Sequence, residues 1–157
     1  MKTILLLMAA SLCFGQTDEK APPQQKFYRF DFAVKEVDGG KVVGTKNYSS
    51  MGKGSIMIRS GDKMPMTNRS ATGREVTFLD VGTNIDCQVL SETATQLALR
   101  VSVDISNPGD TNPPVVSQTK WNSNIIVPLR KPTVVFSSEG TTRKIQTQLE
   151  ITVTPLE

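Results

Sequence analysis

With 157 residues, 38 % of them hydrophobic and 21 % charged with mixed sign, the chain has the size and balance of one folded domain, not of a disordered segment. A formal net charge of +3 is too small to signal a nucleic-acid surface. Histidine is absent, which removes Ser–His–Asp triads, Cys–His pairs, imidazole metal sites and the usual general base near neutral pH.

Residues 1–15 read as an export leader. Lys2 supplies the positive start, and Ile4 to Leu12 is an apolar run too short to span a bilayer. Cleavage is expected between Gly15 and Gln16. The mature chain then loses Lys2 and keeps 17 basic against 15 acidic residues. Residues 16–26, with Pro22 and Pro23, read as a polar, polyproline-like lead-in. The domain proper is expected over 27–157. Cys13 offers a second reading as a lipidated outer-membrane anchor, but Leu12 stands where a small residue is normal. With Cys13 removed, Cys87 is the sole cysteine, so no internal disulfide can form. Its neighbours Ile85 and Val89 at strand spacing make it a small buried thiol before a nucleophile.

Apolar residues recur with period two along nearly the whole chain. Tyr28, Phe30, Phe32 and Val34 define the inward face of a first strand, and Asp38-Gly39-Gly40 supplies a turn into a second strand over about 41–50. The stretch 51–73 is broken by Gly52, Gly54, Gly61, Pro65 and Gly73, with a short strand at Ile56 and Ile58. Two strands, 75–81 and 84–90, are expected on either side of a bend at Gly82. Leu97, Leu99, Val101, Val103 and Ile105 give the strongest alternation. A Pro- and Gly-containing loop, 106–114, leads to a strand over 115–127 that is expected to break near Trp121. A short strand at 133–137 and a last one at 144–154, with Leu149, Ile151 and Val153 inward, complete the pattern. The expectation is an all-β antiparallel sandwich of about nine to ten strands, each sheet with one wet face.

Several constellations bear on chemistry. Segment 51–74 holds Lys53, Arg59, Lys63, Arg69 and Arg74 against the single acid Asp62. Such a run can meet an anionic lipid surface, or it can be the charge that keeps an edge strand soluble. The same segment carries Met51, Met57, Met64 and Met66, soft ligands suited to Cu(I) if three sulfurs converge, and otherwise adaptable packing residues. Asp104, Asn107, Asp110 and Asn112 could offer oxygens to Ca²⁺, but they depart from the EF-hand order and are residues that turns prefer. Asp80, Asp86 and Asp104 fall on water-facing strand positions, where carboxylates do no acid catalysis. Arg130-Lys131 and Arg143-Lys144 flank one short strand, roughly 15–20 Å apart at about 3.3 Å per residue. Lys53-Gly54 lacks the rest of a phosphate-binding loop. Trp121 alone makes no carbohydrate platform and reads as a packing residue. No cofactor, catalytic residue or metal site is expected, and no nucleic-acid partner.

The second half resembles the secretin homology region, the β-rich domain of outer-membrane secretion and pilus channels. Its matching pieces are Asp80-Val81-Gly82 leading into Asn84 to Val89, the strand Leu97 to Ser106, and Pro113-Pro114-Val115-Val116-Ser117. Asn124 to Val127 and Leu149 to Pro155 complete the likeness, over roughly 76–155. The resemblance implies a hairpin-built β-domain associated with the cell envelope, and it carries over no functional residue. The combined expectation is a non-enzymatic secreted or periplasmic domain. It acts through protein contacts or self-association at its strand edges, with an anionic lipid surface or a soft metal at 51–74 as the alternative.

Overall fold

A computed structural model describes residues 26–70, 73–109, 115–140 and 145–156, without the side chains of 68–70 and 74. The expected leader and the lead-in up to residue 25 lie outside these. All regular structure among the described residues is β, in eight strands: β1 (Phe27–Asp38), β2 (Lys41–Lys53), β3 (Ser55–Ser70), β4 (Gly73–Glu92), β5 (Gln96–Pro108), β6 (Val116–Pro128), β7 (Thr133–Glu139) and β8 (Ile145–Leu156).

The strands form two four-stranded antiparallel sheets, ordered β2-β1-β8-β7 and β3-β4-β5-β6. The alternation explains why they stack. Phe30, Phe32 and Val34 of β1 and Leu149, Ile151 and Val153 of β8 point from the first sheet. Ile85 and Cys87 of β4, with Leu97, Leu99, Val101, Val103 and Ile105 of β5, point back from the second. All are buried in one core, and the opposite faces are polar, as expected for strands wet on one side. Burial pushes the Cys87 thiol up to about 12, the behaviour of an inert core sulfur.

Two links carry the chain from sheet to sheet. Gly54, at φ 70°, joins β2 to β3 in a single residue, a conformation that suits glycine. Residues 129–132 join β6 to β7, and Trp121 of β6 packs against Phe136 of β7 with ring centroids 5.3 Å apart. Consequently β2 and β3 lie along one flank of the sandwich, and β6 and β7 along the other.

Nine to ten strands were expected and eight are found, because apparent breaks are bends or nothing at all. The ladder runs unbroken through Trp121, and residues 75–90 belong to the single strand β4. At the bend, Gly82 (φ 150°) faces Gly61 across the β3–β4 pair. A Cβ on Gly82 would stand 2.2 Å from the Ser60 carbonyl oxygen, and one on Gly61 would stand 2.2 Å from that of Val81. Paired glycines therefore let two backbones cross closely without ending the ladder.

Beyond this crossing β4 leaves β5, since β5 pairs with β4 only from Gly82 onward. Ser106 fills the gap. Its Oγ accepts from the Gly82 N–H at 2.9 Å and donates to the Gly82 carbonyl at 3.4 Å. Residues 61–70 and 73–81 thus form a two-stranded arm about 30 Å long at ~3.4 Å per residue.

Candidate functional site

The basic run dissolves once the strands are paired. Lys53 ends β2 with its ammonium 4.6 Å from the centre of the Phe27 ring. Arg59 sits on the wet face of β3. It donates through one terminal nitrogen to both Asp86 oxygens, at 2.8 and 3.0 Å, and through the other to the Ile58 carbonyl at 2.9 Å. Lys63 stands on the arm, opposite Asp80 in the β3–β4 register. The backbones of Arg69 and Arg74 pair at the arm's tip, and their side chains lie outside the described residues. Lys53 lies before the Gly54 turn, and eight residues of β3 carry the chain on from Ser55 to Lys63, about 26 Å. The depression around Arg59, about 540 Å³, is lined also by Asp86, Asp104 and Lys120, so its charge is mixed. Among the described side chains, Lys53, Arg59 and Lys63 do not converge on one anion.

The methionines do not converge either. Met51 belongs to the outer face of β2, and Met57 to the outer face of β3. Met64 and Met66 share the opposite face of the arm. Oxygen ligands fare no better. Asp104 accepts from Gln118 at 2.9 Å and lies 3.4 Å from Lys120 Nζ, while Asn107 Oδ1 accepts from Lys46 at 3.4 Å. Asp110 and Asn112 lie outside the described residues, as do Arg143 and Lys144. Among the described residues no three His, Cys, Asp or Glu side chains are placed to hold a metal, and no helix is long and apolar enough to cross a membrane.

One electrostatic cluster is specific. Lys26, just before β1, donates to Glu92 of β4 at 2.9 Å. The Tyr28 hydroxyl is buried beside them without a hydrogen bond of regular geometry. Burial first, then the neighbouring carboxylate, pushes Tyr28 above its ordinary pKa. Lys26 first, then Tyr28, holds Glu92 below the usual carboxylate range. A lowered carboxylate adds stability above its unfolded value and loses it as pH falls through the folded one. Glu92→Gln is therefore expected to flatten the acid limb of a stability–pH curve below about pH 4, the ordinary glutamate range. Equal acid limbs in wild type and variant would remove the cluster from the account.

What the fold does present is edges. β3 and β6 end one sheet, β2 and β7 the other, and none is covered by another described strand. Apolar side chains stand exposed along them: Val42, Val43 and Met51 on β2, Met57 on β3, Ile126 on β6 and Val134 on β7. Met57 and Ile126 are 68 % and 66 % exposed. The strands most open to a partner are therefore those that end each sheet, together with β4 along the arm, where it has no β5 partner and Val76 and Phe78 stand exposed.

No protein-family model matches the sequence, and no curated protein matches it. The likeness lies in structure. The secretin InvG of the Salmonella SPI-1 type III secretion injectisome superposes with a TM-score of 0.58 at 8 % identity, over 85 % of this chain and 65 % of that one. The InvG secretin-domain β-barrel gives 0.55 at 9 % identity, over 85 % and 64 %. InvG in the basal body with PrgH and PrgK gives 0.58 at 8 %, over 85 % and 46 %. The chain thus spans less than two thirds of each of these proteins. A match over 85 % of the chain also exceeds the stretch 76–155 on which the sequence resemblance rested. The two sheets and their hairpins together have the architecture of a secretin-type β-domain.

Proposed function

We propose that the chain is an exported, non-enzymatic β-domain that associates side by side with further copies of itself, as a repeating unit of a secretin-like assembly at the cell envelope. The carrying observation is the pair of open flanks. β2 and β3 line one and β6 and β7 the other, so one copy's β6/β7 flank can meet the next copy's β2/β3 flank. The sense is right for pairing. In an antiparallel four-stranded meander the first and last strands run oppositely, so β6 of one copy lies antiparallel to β3 of the next. The same holds for β7 and β2. Head-to-tail contacts of this kind close into rings when the rotation permits. The fold likeness to InvG supports this reading, and the dispersed cations of 51–74 weigh against an anionic-surface site.

The test is the mass of the purified product across a range of concentrations. Assemblies larger than a monomer are expected, and mass spectrometry of the product should show residues 1–15 removed. Met57→Asp combined with Ile126→Asp changes only exposed positions and should weaken association about ten-fold or more, roughly 1.4 kcal/mol. A wild-type chain that stays monomeric at every concentration would end the self-association reading.

A further inference from the structure

We infer that copies join β6 to β3 with a stagger of two residues, set by cations that stand at both ends of one rung of the second sheet. This rests on the self-association proposed above and concerns its register.

The rung is read from the pairing. Arg59 of β3 faces Asn84, Asn84 faces Asp104, and Asp104 faces Lys120 of β6. Both edge residues are cationic, and their nearest carboxylates, Asp86 and Asp104, lie one strand inward. If a second copy joined level with the first, Lys120 would stand beside Arg59 of its neighbour. Like charges directly opposite on a sheet repel. A shift of one residue would turn every core-facing side chain of the joint to the wet face. Only even shifts remain.

A shift of four toward the arm sets Lys120 beside Lys63 and repeats the conflict. A shift of two in that direction removes it. Lys120 then lies beside Gly61, which leaves its ammonium room, and the Asn122 side-chain oxygen can accept from Arg59. On the inner face Ile125 meets Ile56, and on the outer face Asn124 meets Met57. The joint runs from Ser55 opposite Ile126 to Pro65 opposite Val116, and Pro65, with no N–H to donate, is a natural end. The opposite shift of two also avoids the cations, but it leaves only Ser55 to Gly61 in register with β6. A stagger is also what a sheet needs to close, since a barrel cannot form without one.

Cysteine pairs at exposed positions read the register directly. Met57→Cys is combined in turn with Asn122→Cys, Asn124→Cys or Ile126→Cys, which report shifts of zero, two and four. Within one copy β3 and β6 are three strand spacings apart, about 14 Å, so every disulfide must join two copies. Buried Cys87 does not compete. Mild oxidation of the assembled chain should give covalent ladders chiefly from the Met57/Asn124 pair. Lys120→Glu should move cross-linking toward the Met57/Asn122 pair by about three-fold, because the level joint then gains an opposite-charge pair. Strongest ladders from Asn122 or Ile126 in the wild-type background would overturn the stagger and leave self-association standing. No ladder from any pair, with a monomeric mass, would overturn both.

Discussion

Phe30→Ala is expected to lower the unfolding free energy by about 3–5 kcal/mol, the range for removing a large aromatic side chain from a packed core. Phe30 is fully buried. It stands on β1, which pairs with β2 on one side and β8 on the other, at the level of Ser50 and Val153. Its ring faces the second sheet in the shared core, 6.1 Å from the Tyr28 ring. No neighbouring backbone can move in to fill the space, because two ladders hold β1 in place. A domain of this size has about 5–15 kcal/mol of stability in all, so the variant should be near the limit of folding. Urea unfolding of the soluble chain measures this. A loss under about 1 kcal/mol would mean that the two sheets do not share the core described.

Gly82→Val should have its largest effect elsewhere, on the arm. The new side chain meets two penalties: a φ of 150°, which side-chain-bearing residues rarely adopt, and a Cβ 2.2 Å from the Ser60 carbonyl oxygen. Relief requires β3 and β4 to separate where they cross, beside the Ser106 bridge that holds the Gly82 backbone to β5. The cost is about 2–4 kcal/mol, from backbone strain and overpacking together. Amides of residues 61–81 should exchange faster, while those of β5 and β8 keep their protection. A two-stranded ribbon has little stability of its own, so it should fail before the sandwich does. Unchanged protection in 61–81 would show that the crossing does not anchor the arm.

The strands that could be read directly were those with one buried and one wet face. Alternation through Tyr28 to Val34, Leu97 to Ile105 and Leu149 to Val153 marks β1, β5 and β8, and these residues form the core. The Gly39-Gly40 turn joins β1 to β2 where expected, with positive φ at both glycines. Gly82 was recognised as a bend, but its partner Gly61 lies 21 positions away in the chain. Seen without that partner, glycine reads as an interruption, so alternation alone predicts two strands where the single strand β4 runs. The five basic residues of 51–74 were visible as a run because they are close in sequence. Strand geometry spreads them along an extended path and sets Arg59 against Asp86, 27 residues away.

The sequence by itself determined that this chain is built from half-buried strands and which side chains face inward, because period two is a local property of extended backbone. The expected leader over 1–15 rests on the same kind of contiguous pattern and lies outside the described residues. Only the tertiary structure decided which strands pair, that β2 and β3 share one flank and β6 and β7 the other, and that Arg59 and Lys120 end the same rung. These depend on pairing order and register between distant segments, which hydrophobic alternation leaves open.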